Sequence, residues 1–194
     1  MKFCSFVEMK KLLALFTLTL FLSSCGMIYF DRIPGKPIDE FPENFRGDFL
    51  CFEVSKKGKQ DNIDSSGKFS IKAKSWIQNN GAIKEVSLSD EVKISSHGDF
   101  YFLSIQAEHS EQKYWNTYIL EKKEQGFVVY PVVAPNGSGR KQMRILKKNF
   151  SEVKLLDKGQ KKDDFWVKMN EEQLVNYFQK KLKKFNYYRF TPSK

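Results

Sequence analysis

The chain has 194 residues, with 33 Lys or Arg against 23 Asp or Glu, for a formal charge of +10. That length supports one domain with a real core. The charge is mostly Lys, with Arg only at positions 32, 46, 140, 144 and 189. Lys is a solvated point charge, whereas Arg favours bidentate phosphate recognition, so the composition argues against a nucleic-acid partner. A solvated Lys-rich surface is the first reading; a basic face toward anionic head groups or glycans is the functional one.

Leu12 to Leu22 read LLALFTLTLFL, with no charge. About 11 apolar residues suit a secretory h-region and fall short of the ~20 of a spanning helix. Lys10 and Lys11 supply the positive segment before it, and Leu22-Ser23-Ser24-Cys25 follows. This segment resembles the signal of bacterial lipoproteins, with Leu at −3, Ser at −2 and −1, and Cys at +1. The resemblance implies a diacylglycerol thioether on Cys25, acylation of its freed amine, and membrane attachment through that lipid. Gly26 at +2, in place of the Asp that retains enterobacterial lipoproteins at the inner membrane, points to the outer membrane. Ser24 also serves as the cleavage site of an ordinary signal peptide, in which Cys25 would be incidental. Glu8 is unusual in such a leader, and Met9-Lys10-Lys11 makes a more compact start.

Lys2, Lys10, Lys11 and Glu8 all precede Cys25, so the charge of the remainder is +8. With Cys4 and Cys25 in the signal, Cys51 is the one remaining thiol, and no intrachain disulfide is expected. Within Phe49-Leu50-Cys51-Phe52 it reads as a small packed residue.

Residues 25–44 read as a lipidated tether. Pro34, Gly35, Pro37 and Pro42 interrupt regular structure, and ~19 stretched residues reach ~60–70 Å. Residues 45–194 then read as a single β-rich domain. Leu50, Phe52 and Val54 alternate with polar or small neighbours. Phe69, Ile71, Ala73, Ser75 and Ile77 alternate with Ser70, Lys72, Lys74 and Gln78, the period of a half-buried strand. Val92 and Ile94 lead to a turn at His97-Gly98-Asp99 and a strand over Phe100 to Ala107. Tyr114 to Leu120 has strand chemistry. Glu124-Gln125-Gly126 predicts a hairpin into Phe127 to Tyr130. Recurrent turns predict an antiparallel meander, curled or closed as a barrel.

Pro135 to Gly139 ends the meander. Met143, Leu146 and Phe150 have helical spacing. Glu152 to Leu156 and Phe165 to Lys168 read as strands joined by a charged loop that includes a solvated Asp163-Asp164. A C-terminal amphipathic helix is predicted over about 170–185, with Asn170 and Gln173 forming a capping-box-like pair. Leu174, Phe178, Leu182 and Phe185 form its apolar stripe, which predicts packing on the sheet at one barrel end. Tyr187 to Phe190 reads as a last extended segment. The fold class is therefore mainly β with a C-terminal helix.

No catalytic, cofactor or metal residues are assigned. His97 and His109 stand 12 apart without HExxH or CxxC context, and a zinc site needs three or four convergent ligands. No GxSxG is present. Ser138 reads as a turn residue, although Asn136 to Gly139 beside Arg140 and Lys141 has the composition of a backbone anion nest. Asn44-Phe45-Arg46-Gly47-Asp48-Phe49, opening a β-meander that ends in a helix, resembles lipocalins and related calycin barrels. Phe49 stands where those proteins carry Trp. That resemblance implies a cavity for an apolar ligand, which an aromatic content of 15% permits. The expected function is a membrane-anchored envelope lipoprotein acting as a non-catalytic binding or interaction module, with an envelope protein or small apolar ligand as its partner. The alternative is a lipocalin-like carrier. An envelope enzyme would require His97 or His109 to cluster with carboxylates.

Overall fold

Alternation along the central strands sorts side chains into two cores, one on each face of a curled sheet. The computed structural model describes residues 26–54, 67–79, 83–109, 111–158, 163–182 and 186–193. The segment read above as a lipoprotein signal, with Cys25 and Met9, and Phe185 lie outside the described residues. The strands are β1 (Ile28–Phe30), β2 (Lys36–Ile38), β3 (Gly47–Val54), β4 (Lys68–Ile71), β5 (Ser75–Asn79), β6 (Ile83–Ser87), β7 (Val92–His97), β8 (Phe100–His109), β9 (Gln112–Lys122), β10 (Phe127–Pro131), β11 (Val153–Lys158), β12 (Asp163–Val167) and β13 (Tyr187–Pro192). Helix α1 (Gly139–Asn149) precedes β11, and α2 (Glu171–Lys180) lies between β12 and β13. The protein is mainly β, as expected.

The sheet forks at β9. One edge of β9 pairs with β8 along Tyr101 to His109. Its other edge is shared, by β1 at Trp115 and Asn116 and by β10 from Tyr118 to Lys122. One arm continues β10-β13-β3-β4-β5-β6; the shorter arm runs β1-β12-β11. Beyond β8 lie β7 and then β2. No pairing joins β2 to β6 among the described residues, so the curl is a half-barrel. The Phe41 N–H donates to the Ala73 carbonyl at 2.7 Å, bringing the segment after β2 to the β4–β5 turn.

Ile119, Val128, Tyr130 and Phe102 face the first core, beneath α1 and α2. Their neighbours Leu120, Phe127, Tyr101 and Leu103 face the second, on the concave side. This is the period of two carried across several paired strands. Gly126 turns β9 into β10 at φ +85°, and a Cβ there would run into the Phe190 carbonyl oxygen. Only glycine meets both demands.

Helix α2 starts at the predicted cap, where the Asn170 side chain accepts the Gln173 N–H at 3.0 Å. The box is only half made, because the Gln173 side chain instead accepts the Ser151 N–H at 3.0 Å. Leu174, Phe178 and Leu182 are buried as predicted, joined by Tyr177. Tyr177 donates to the Val133 carbonyl at 3.1 Å, and the Phe178 ring meets Phe100 and Tyr130 at 5.8 and 4.9 Å. The helix therefore covers the sheet face opposite the concave one, and does not close a barrel end.

Residues 26–44 are not a tether. Ile28 and Phe30 are fully buried, in a strand parallel to β12 and antiparallel to β9. Phe41 and Phe45 are buried in the second core. The breakers Pro34, Gly35 and Pro42 fall between elements of only three residues, which carry too little periodicity to read. Pro37 does lie in a strand, but β2 pairs only with β7, and an edge tolerates a missing donor. Asp164 is not merely solvated either, since its carboxylate accepts the Met27 N–H at 2.8 Å.

The strand read from Phe69 to Ile77 is a hairpin. Lys72 N–H donates to the Ser75 carbonyl at 2.8 Å, and the chain reverses there. The turn shifts the phase, so Trp76 and Gln78 are buried while Ile77 is only half-buried.

Glu171, in the first turn of α2, fastens the β1–β2 connection. Arg32 donates Nη1 to Oε1 at 2.6 Å and Nη2 to Oε2 at 3.2 Å, and the Gly35 N–H adds a bond at 3.2 Å. The Arg32 bond above all, with the backbone N–H groups of Glu171 and Gly35, holds the carboxyl at about 2, against an ordinary 4.5. A depressed carboxyl contributes stability that is complete above the unfolded value and lost as pH falls toward the folded one. Arg32 is half exposed, which limits the pair to about 0.5–1 kcal/mol. Glu171→Gln should lower the thermal midpoint at pH 7 by a few degrees and leave it nearly unchanged at pH 2, read by paired melts. An equal loss at both values would show that charge is not what matters.

Candidate functional site

The concave face holds an apolar cleft of about 90 Å³, partly open to solvent. Seven strands and the segment before β3 contribute to it. Cys51 and Glu53 come from β3, Phe69 and Ile71 from β4, and Trp76 and Gln78 from β5. Tyr118 and Leu120 of β9, Val129 of β10 and Tyr188 of β13 complete the opposite wall, with Leu103 of β8 and Phe41 beside them. Each lies on the concave face because the alternation of its strand puts it there.

Aromatic rings form the floor. Phe127 and Phe190 stack at 4.5 Å and 9°. Phe49 meets Phe127 edge-on at 5.1 Å, and Phe69 meets Phe190 at 5.1 Å. Phe41 closes one side with its ring perpendicular to Trp76 at 6.0 Å. Such pairs contribute beyond their burial and hold the wall in one shape.

The polar groups are few. Gln78 is buried and half-buried Glu53 accepts from the Asn186 amide at 3.4 Å. Burial first, then the charge of Glu53, pushes the Cys51 thiol up to about 12. The thiolate is therefore negligible at neutral pH, and Cys51 is a packed apolar atom there, not a nucleophile. Burial also raises Tyr118 and Tyr188, with Tyr29 and Glu53 respectively as the next contributors, so both hydroxyls stay neutral donors. The cleft is built to hold an apolar group beside a few hydrogen-bonding atoms.

The remaining sequence candidates are dispersed. His97 sits at the β7–β8 tip, paired with Phe100, while His109 sits at the far end of β8, paired with Gln112. Neither lines the cleft. Among the described residues no group of three or more His, Cys, Asp or Glu side chains converges. Ser138 precedes α1, and its side chain makes no capping bond. Gly47-Asp48-Phe49 does open a strand, but it is the third of the sheet, and the sheet is not a closed barrel. Sequence reasoning missed Gln78, because its phase follows an unread turn, and Phe41, because it lies among breakers.

The fold and cleft together define an antiparallel half-barrel with an apolar groove on its concave side. No family model, curated protein or solved structure matches the chain.

Proposed function

We propose that this chain is a lipid-anchored, non-catalytic binding module of the bacterial cell envelope, whose concave cleft receives an apolar group presented by a partner. The cleft carries this reading: its walls are apolar, its thiol and phenols are held neutral, and it opens to solvent. Its volume of about 90 Å³ is well below the ~300 Å³ of a pocket that encloses a whole small ligand. That favours capture of a chain end or a single ring over the lipocalin-like alternative of carrying an entire molecule. The leader ending in Leu22-Ser23-Ser24-Cys25 supports the lipid anchor.

The test is a titration with N-phenyl-1-naphthylamine, a neutral apolar fluorophore. Saturable enhancement is expected, weakened at least tenfold in Leu103→Trp, which fills the cleft from one wall. Far-ultraviolet circular dichroism checks that this variant is folded. Absent saturation, or unchanged binding in a folded Leu103→Trp, would refute the cleft as the site.

A further inference from the structure

Helix α1 carries Arg140, Lys141, Arg144, Lys147 and Lys148 and no acidic residue. At 100° per residue these five side chains fall within one arc of about 120°. The buried positions, Gln142 and Leu146, lie on the opposite side. All five cations are exposed, and none has an ion pair among the described residues. Helix stability favours only Lys147 and Lys148, which sit in the last turn at the negative end of the dipole. Arg140, Arg144 and Lys148 repel at successive i,i+4 spacings, and Arg140 and Lys141 occupy the positive end of the helix dipole.

The chain enters the fold at the same corner. The Gly26 carbonyl accepts the Ala134 N–H at 2.9 Å, five residues before α1 begins. Met27 bridges Val133. Asp163 touches both places: a Cβ on Gly26 would run into its carbonyl oxygen, and one on Gly139 would run into its carboxylate. Cys25 immediately precedes Gly26 in the sequence. With β1 built into the sheet, no spacer separates Cys25 from this corner.

We infer that the basic face of α1 lies on the anionic head groups of the membrane that holds Cys25, which fixes how the domain sits on that membrane. The inference rests on the lipid-anchor reading. Acyl chains and a basic patch are complementary attachments, one apolar and one electrostatic. Seating α1 on the head groups neutralises charges that otherwise repel one another.

Two measurements separate the inference from the reading beneath it. The first uses the full chain carrying Cys25→Ser, so that no lipid contributes. It is sedimented with vesicles of phosphatidylglycerol and phosphatidylcholine at about 3:7, and with phosphatidylcholine alone. Preference for the anionic vesicles on the order of a thousandfold is expected from five charges at roughly fivefold each. Arg144→Gln/Lys147→Gln/Lys148→Gln should reduce it about 100-fold, at roughly fivefold per charge near such a surface. Lys68→Gln/Lys72→Gln/Lys74→Gln removes three exposed charges from β4 and the turn after it, and should reduce binding far less. Equal losses in the two triple variants, or no anionic preference, would overturn the role of α1. The second measurement follows radiolabelled palmitate into the unaltered chain and its Cys25→Ser variant in bacterial cells. Label confined to the unaltered chain supports the anchor. Absence of label would overturn the anchor reading alone, without touching the vesicle result.

Discussion

A chain shortened to residues 45–194 should fail to fold cooperatively. The truncation removes Ile28 and Phe30, both fully inaccessible, and Phe41 at 2% exposure. Deleting one large buried apolar side chain typically costs about 2–5 kcal/mol, so three together cost on the order of 6–15 kcal/mol. That is the scale of a whole domain's stability, about 5–15 kcal/mol. The loss is compounded at the backbone, because β1 is the strip that joins β12 to β9. Without it, β11 and β12 lose their connection to the rest of the sheet. Urea titration followed by near-ultraviolet circular dichroism is the measurement. A sigmoidal transition close to that of a chain retaining residues 26–44 would contradict the assignment of β1 to the core. Phe30→Ala is the milder form of the same test, with an expected loss of about 3–5 kcal/mol.

Phe127→Ala should cost about 3–5 kcal/mol and lower the melting temperature by roughly 10 °C. Phe127 is 2% exposed and stands at the centre of the second core. Its ring stacks on Phe190 and meets Phe45 and Phe49 edge-on at 5.2 and 5.1 Å. These three partners come from β13, the turn before β3, and β3 itself, so the ring joins elements far apart in sequence. It is also part of the cleft floor, so truncation enlarges the cleft as well as loosening it. Urea melts of the two proteins give the difference directly. A loss below about 1 kcal/mol would mean that the neighbouring rings collapse into the space.

The meander from β7 to β10 was readable because its pairings are local. Each strand meets the next across a short turn, and alternation within each strand is enough to set its faces. The start of α2 was readable for the same reason, since Asn170 and Gln173 form a cap within one turn. Elements of three residues were not. Neither β1 nor β2 is long enough to show a period; Pro37 lies within β2, and Pro34, Gly35 and Pro42 lie outside both. The hairpin between β4 and β5 was hidden by Lys72 and Lys74, which continue a polar alternation straight through a reversal.

The concave cleft lay further from reach. It needs β13, the last strand of the chain, placed between β10 and β3. Tyr188 and Phe190 thereby stand beside Glu53 and Cys51, more than a hundred residues away. No local pattern encodes a partner at that separation. Such pairings are chosen by the fit of whole faces once the hairpins exist.

By itself, the sequence determined a mainly β chain, a C-terminal helix capped at Asn170, and a net basic charge. Those properties live in composition, in periods of two and 3.6, and in a contiguous motif. The tertiary structure alone decided that residues 26–44 supply two strands and buried Ile28, Phe30 and Phe41 to the fold, that the curl leaves an open groove, and that the entry of the chain adjoins a basic helix. Each of these depends on which distant backbone edges pair, and that is settled by burial and hydrogen bonding across the assembled sheet.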